Sequence, residues 1–396
     1  MTNRAQCPDC GSAPTSHFFA KLSARTSGKK FFITRFLEKV RYTIFGYKGD
    51  VLMHGAARLL VVVGLGTMRD SVSLNDSMRT KVIWEEANNR GLQLRELFVF
   101  DRPTEFFLVK NAGKLKTFDS LPLPVTTKND TGDWIDDKWE LKTRFQEAEI
   151  PVAQGGLARN KNEAARIFES LIPPVVVKPH RGSRSRHTFT NLNTLSEVLH
   201  AFESAHKLSP KVIVEEELVG FVYRGTVVGG HLAGIVRREP AMVIGDGVRT
   251  VLELIRIENR NPKRDNELFH TIPLGNEIDA VLERQKLLKD SIPAKDRIVL
   301  LGDKTSRGMG GGITEITKSV HPDNIELLEK CAQVVDYPIV GFDFIIGDIT
   351  KSWKIQSRTG IIECNTVPFI DLHHFPLNGT PKNIASMVWE LALSAN

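Results

Sequence analysis

The sequence predicts an α/β protein made of two or three packed units, and three observations carry that reading. The chain has 396 residues, more than one ordinary domain needs. Hydrophobic residues make up 41% and charged residues 25%, which permits a normal core and excludes global disorder. From residue 56 onward, apolar strand-like runs alternate with segments of helical period. The net charge of +6, from 53 Lys+Arg against 47 Asp+Glu, suits a protein that handles anions but is too small and dispersed for a nucleic-acid binder.

Residues 1–55 read as a polar tail and a basic amphipathic helix. Cys7-x-x-Cys10 is half of a zinc ribbon, but Cys331 and Cys364 lie far away, and His17 alone does not complete four ligands. The reading is therefore an exposed tail with two free thiols. Residues 31–45 have apolar side chains at near-helical spacing with Arg35, Lys39 and Arg41 between them, as in a helix packed on its own domain, with contact to a membrane surface as the lesser reading. Only four cysteines, a polar N-terminus and no long apolar run predict a cytoplasmic protein without a transmembrane segment.

Residues 56–132 read as a small α/β domain. The run 57–66 is expected to be a buried strand ending in a turn, and Gly64-x-Gly66 is too weak to signal a dinucleotide loop. A helix is expected over 77–89, capped by Asn75 or Ser77 and stopped by Gly91. Strands follow at 94–100, 105–110 and 115–118, the last two joined by a hairpin at Asn111-Ala-Gly113. Prolines 122 and 124 and residues 128–132 mark a boundary, and 133–396 form the larger unit.

Four segments of that unit carry chemistry. Asp137-Lys138 opens a helix. The strand Val175-Val-Val-Lys178-Pro179 leads into a loop with Arg181, Gly182, Ser183, Arg184 and Arg186. The strand Val212-Ile-Val-Glu215 is followed by Glu216, Glu217, Leu218, Gly220 and Arg224. Gly341-Phe-Asp343 precedes Ile361-Ile-Glu363-Cys-Asn365. Glu363 and Asn365 are two apart on a strand and share a face. With Asp343 they offer the hard oxygens that Mg²⁺ prefers, and carboxylates among apolar strands are costly unless paired or metal-bound. Asp348 is a reserve ligand.

In this order the segments resemble the ATP-grasp superfamily, and most closely the ATP-grasp module of cyanophycin synthetases and of glutathione-synthesising ligases. The similarity extends through DKWELKTRFQEAEIPV (137–152), REPAMVIGDGVRTVLELIRIENRNPKR (238–264), LERQ (282–285), DSIPAK (290–295), VHPDN (320–324), and His373 with Pro376, about two-thirds of the chain. It implies an ATP-grasp fold, with nucleotide held between two α+β subdomains, and an ATP-dependent carboxylate–amine ligase working through an acyl phosphate. Lys138 and Lys178 would clamp phosphates, and residues 215–218 would form the adenine hinge. Asp343, Glu363 and Asn365 would hold Mg²⁺, with Mn²⁺ as the other choice. Arg224 and Arg238 would face the γ-phosphate and acyl group, and Gly310, Gly311, Gly312 and His373 the acceptor. The implied partners are a small-molecule or peptide carboxylate and an amine or amino acid; a homo-oligomer is left open.

The departures from the family pattern are informative. Val222 stands where an acidic residue commonly meets the ribose, and Ser185 and His187 stand where the phosphate loop usually has glycine. Gly302, Asp303, Ser306 and Asp371 replace arginine or asparagine, which predicts a different substrate. No GxxxxGK[ST] sequence is present, so the second ligation of cyanophycin synthesis is not expected. A non-catalytic nucleotide-binding module is the alternative reading, with a phosphotransferase third.

Overall fold

The computed structural model describes residues 7, 9, 16, 17, 20, 21, 49–73, 76–111, 114–123, 134, 135, 137–182, 186–302, 305 and 307–394. The expected helix at 31–45 therefore lies outside the described residues, as do Asn75, Ser183, Arg184, Ser185, Asp303 and Ser306.

The first unit is an antiparallel meander of β1 (Gly66–Arg69), β2 (Gln93–Val99), β3 (Arg102–Asn111) and β4 (Lys114–Asp119). The hairpin appears where expected, with Asn111 opposite Lys114. The helix Met78–Asn89 starts at Ser77, whose side chain accepts a hydrogen bond from the Thr80 amide. The run 57–66 departs from expectation. It is the second half of the helix Gly49–Val62 followed by β1, and Leu59 and Val62 are 62% and 81% exposed. A short apolar run carries no period that separates a strand from a helix segment.

The larger unit contains two main sheets. One has β5 (Gly155–Ala158), β6 (Val175–Pro179), β7 (Phe189–Leu192) and β8 (Val212–Glu216) in the order β5-β8-β6-β7. Helices Lys161–Glu169 and Leu195–His206 cover one face of it, around Val175, Val177, Val198, Phe202, Val212 and Val214. Then come β9 (Phe221–Val228) and β10 (His231–Glu239), a two-stranded pair of β11 (Met242–Ile244) and β12 (Ile298–Leu300), and β13 (Gly312–Glu315), β14 (Ile339–Ile346) and β15 (Gly360–Asn365). The second sheet runs β13-β10-β9-β14-β15, every pair antiparallel. Helix Pro322–Val335 packs on its apolar face, where Leu328 meets Gly225 and Phe342, Phe344 and Tyr223 are buried.

The first unit shares a core with the end of the chain. Trp389, on helix Ile384–Ser394, donates to the Ile83 carbonyl at 3.0 Å and packs edge-on against Phe118. Val228, Ala233 and Ile339, at one end of the five-stranded sheet, join the same cluster. That sheet is thus held at one end by the meander, and the chemistry lies toward its other end. Among the described residues no helix is long and apolar enough to cross a membrane.

Candidate active site between the two sheets

On the four-stranded sheet a buried carboxylate is gripped by two lysines. Glu215 on β8 receives Lys178 Nζ from β6 at 2.5 Å on one oxygen and Lys142 Nζ at 2.6 Å on the other. Lys142 comes from the helix Lys138–Glu147, which Asp137 caps by accepting from the Trp139 and Glu140 amides. Burial pushes the Glu215 carboxyl up, but the two ammonium groups outweigh it and hold it below the usual range. Burial also lowers the Lys142 ammonium, and Glu215 only partly restores it. Glycine is required at position 155, because a Cβ there would sit 2.4 Å from the Val214 carbonyl oxygen. This close approach lets β5 lie against β8.

On the five-stranded sheet the arrangement is repeated with arginines. Strand register sets Arg224, Asp343 and Glu363 side by side on β9, β14 and β15. Asp343 accepts from Arg224 Nε at 2.5 Å and from Arg238 Nη1 at 3.3 Å. Burial raises the Asp343 carboxyl, Arg224 and Arg238 overcome this, and the carboxyl ends below its ordinary value. Gly341 makes room for the Arg224 side chain, since a Cβ would lie 3.2 Å from its Cδ and Nη1. Among the described residues, two buried donors here have no acceptor: Arg224 Nη1 and Asn365 Nδ2. Unpaired buried donors are costly, and a bound anion, an ion or an ordered water is among the groups that would satisfy them.

The two clusters meet through Lys138. Its Nζ donates to the Gly182 carbonyl at 2.5 Å and lies 3.7 Å from Glu363 Oε1. Asp343, Glu363 and Asn365, expected to converge, are brought together by adjacent strands, with Asn365 opposite Gly341. Their oxygens form a donor set suited to a small divalent cation that keeps part of its water shell. Asp348 instead closes a surface turn with Thr350 and Lys351.

The remaining expected residues are placed as follows. Glu216 accepts from the Ile172 amide and Glu217 from the Asn191 amide, while their own amides donate to the Gln154 and Pro174 carbonyls. Burial raises the Glu217 carboxyl. Glu216 and Leu218 line a cleft of about 430 Å³ with Gln154, Trp353 and Arg358, within the usual size of a small-molecule site. Gly310 has φ +79 and gives its carbonyl to Arg264, and Gly312 starts β13 opposite Glu239. His373 is completely buried, with Glu315 on Nδ1 at 2.8 Å and Thr226 on Nε2 at 2.9 Å, so both ring nitrogens are engaged inside the protein. Asp371 is also buried, 3.4 Å from Arg307, with Oδ1 unpartnered.

Sequence reasoning missed Lys142. The signal was its place four residues after Lys138, on the same helix face. Asp137 was read only as the start of a helix, whereas it also pairs with Arg181 at 3.2 Å and so ties the helix to the loop after β6.

No protein-family model matches the chain. The cyanophycin synthetase of Synechocystis sp. is 32% identical over 261 residues, covering 64% of this chain and 30% of that protein. The glutathione biosynthesis bifunctional protein GshAB of Clostridium perfringens is 27% identical over 320 residues, covering 79% and 41%. The crystal structure of a bifunctional glutathione synthetase from Pasteurella multocida aligns with a TM-score of 0.61 at 24% identity, over 80% of this chain and 43% of that one. This chain has the ATP-grasp fold. It spans between about a third and two-fifths of the length of these curated relatives. The ATP-grasp architecture accounts for the cleft: two sheets face each other, each presenting a buried carboxylate set between cations.

Proposed function

We propose that this protein is an ATP-dependent carboxylate–amine ligase. The observation that carries the reading is the 3.7 Å approach of Lys138 Nζ, beside the lysine cluster, to Glu363 Oε1, beside the arginine cluster. A phosphate-binding cation and a metal-binding oxygen therefore face one space. A substrate carboxylate would attack the γ-phosphate of ATP, giving an acyl phosphate and ADP. An amine would then attack the acyl carbon, and phosphate would leave as the amide forms.

The residues of the chain act by position and charge, which is most of what phosphoryl transfer asks of a protein. Lys178 and Lys138 hold the phosphates, with Glu215 holding the Lys178 side chain in place. Arg224, whose Nη1 has no partner, and Arg238 face the phosphoryl group in transfer. Asp343, Glu363 and Asn365 would hold Mg²⁺, which would neutralise charge on the leaving diphosphate. Glu216 and Leu218 border the cleft assigned to adenosine, and Gly310 to Gly312 would border the acceptor. The buried, half-paired Asp371 supports an acceptor whose end is an amine or neutral rather than a carboxylate-rich peptide.

The test is ADP release across a panel of carboxylates and amino acids, with mass spectrometry of the products. The expected result is ADP formed only when both a carboxylate and an amine are present, with a product lighter than their sum by one water. Glu363→Gln should abolish turnover without altering circular dichroism. Tight ATP binding with no substrate-dependent ADP release from any pair would replace this reading with a non-catalytic nucleotide-binding module.

A further inference from the structure

Two described residues of the N-terminal segment, Cys7 and Asp9, lie against His187. Cys7, expected to be an exposed thiol, is half-buried and its Sγ lies 3.8 Å from His187 Nε2. The His17 ring meets His187 edge-on at 5.1 Å. One ligand atom from each of the three residues falls within 4.8 Å of the other two. Zinc–sulfur and zinc–nitrogen bonds of about 2.3 and 2.0 Å in a tetrahedron put ligand atoms roughly 3.3–3.8 Å apart, so the cluster is close to a coordination sphere already.

The surroundings of His187 are those of a metal ligand. Its Nδ1 is 2.8 Å from both the carbonyl and the hydroxyl of Ser204, on the helix Leu195–His206. Donation to that carbonyl fixes the tautomer and leaves the Nε2 lone pair toward Cys7. Ser204 Oγ in turn donates to Asp9 Oδ2 at 2.5 Å, and the His187 amide donates to the Asp9 carbonyl at 3.1 Å. The side chain is 1% exposed and the backbone is left-handed, with φ +51. A left-handed backbone favours glycine, so metal ligation gives a physical reason for a histidine at this position.

We propose that Cys7, His17 and His187 bind a zinc ion, fastening the N-terminal segment to the connection between β6 and β7. One thiolate and two imidazoles are a zinc set, unlike the oxygen set at Asp343. The Cys7 thiol gives its proton to solvent on binding. The fourth position falls to water. Because His187 closes the connection that begins at Arg181 and Gly182, the ion would anchor one end of the segment whose other end touches Asp137 and Lys138.

The experiment is elemental analysis of the full chain, made without a polyhistidine tag in zinc-supplemented medium, with competition against a chromogenic zinc chelator. About one tightly held zinc per chain is expected, and Cys7→Ser and His187→Gln should each weaken zinc affinity roughly a hundredfold. Cobalt substitution should give a thiolate-to-cobalt charge-transfer band that is lost in Cys7→Ser. That readout decides the matter even if the His187 variant fails to fold. Wild-type protein that takes up no zinc, or a Cys7→Ser variant that keeps wild-type zinc affinity, overturns the proposal.

Discussion

The two sheets of this protein each hold a buried carboxylate between two cations, and they chose different cations. Glu215 on the four-stranded sheet sits between Lys178 and Lys142. Asp343 on the five-stranded sheet sits between Arg224 and Arg238. The geometries are alike, with contacts from 2.5 to 3.3 Å. The chemistry is not. A lysine is a mobile point charge that can shed its proton when buried, whereas an arginine is a rigid fork that stays charged. The lysine cluster is therefore suited to grip a nucleotide that comes and goes. The arginine cluster keeps a fixed positive field where charge would develop during transfer.

The largest effect should follow from breaking the arginine cluster. In Asp343→Asn the buried Arg224 keeps its charge and loses its counter-ion, and removing one partner of such a pair typically costs about 3–5 kcal/mol. Urea unfolding should show that loss, together with lost turnover. A variant as stable as wild type would mean that Arg224 finds another anion or more water than its burial indicates.

The lysine cluster should show itself first in binding. Lys178→Ala removes a charge-assisted phosphate contact, worth roughly 1.5–3 kcal/mol of nucleotide affinity. Calorimetry should find ATP bound at least tenfold more weakly, with acceptor affinity unchanged. Arg238→Ala is the matched control, expected to lower turnover more than nucleotide affinity. If the two variants behave alike, the division of labour between the sheets is wrong.

Much of this arrangement is legible in the sequence because it depends on local pattern. Lys178 follows three valines where no solvated face is expected, and Glu363 and Asn365 share a face by the two-residue period of a strand. Ser77 and Asp137 announce their helices as caps. What the sequence hides are partnerships across long separations. Lys142 looks like any helix lysine until Glu215, 73 residues on, is brought beside it. His373 looks like a substrate residue until Glu315 and Thr226 enclose it. The same holds for the meander, whose core is completed by Trp389 some 270 residues after β4. The run 57–66 failed for a different reason: its unbroken apolar character carries no period to read.

The smallest effect separates the clusters most cleanly, because it is a slope. Glu215→Gln leaves Lys142 buried without its anion, but lysine can escape by deprotonating, so the cost at neutral pH should be only about 1–3 kcal/mol. The sign follows from linkage. The Lys142 ammonium is already lowered by burial, and the variant removes the Glu215 charge that raises it. Between that lowered value and the ordinary lysine value of 10.5, the unfolded chain binds a proton that the folded chain has released. Stability then increases with pH across that window, by at most about 1.4 kcal/mol per pH unit for one proton. Asp343→Asn offers no such relief, since a guanidinium keeps its proton across this pH range even when its counter-ion is gone. Urea midpoints from neutral to alkaline pH should therefore climb, relative to wild type, for Glu215→Gln and run parallel to wild type for Asp343→Asn. Equal slopes in the two variants would show that Lys142 keeps its proton without Glu215, and that the choice of lysine on one sheet and arginine on the other has no electrostatic meaning.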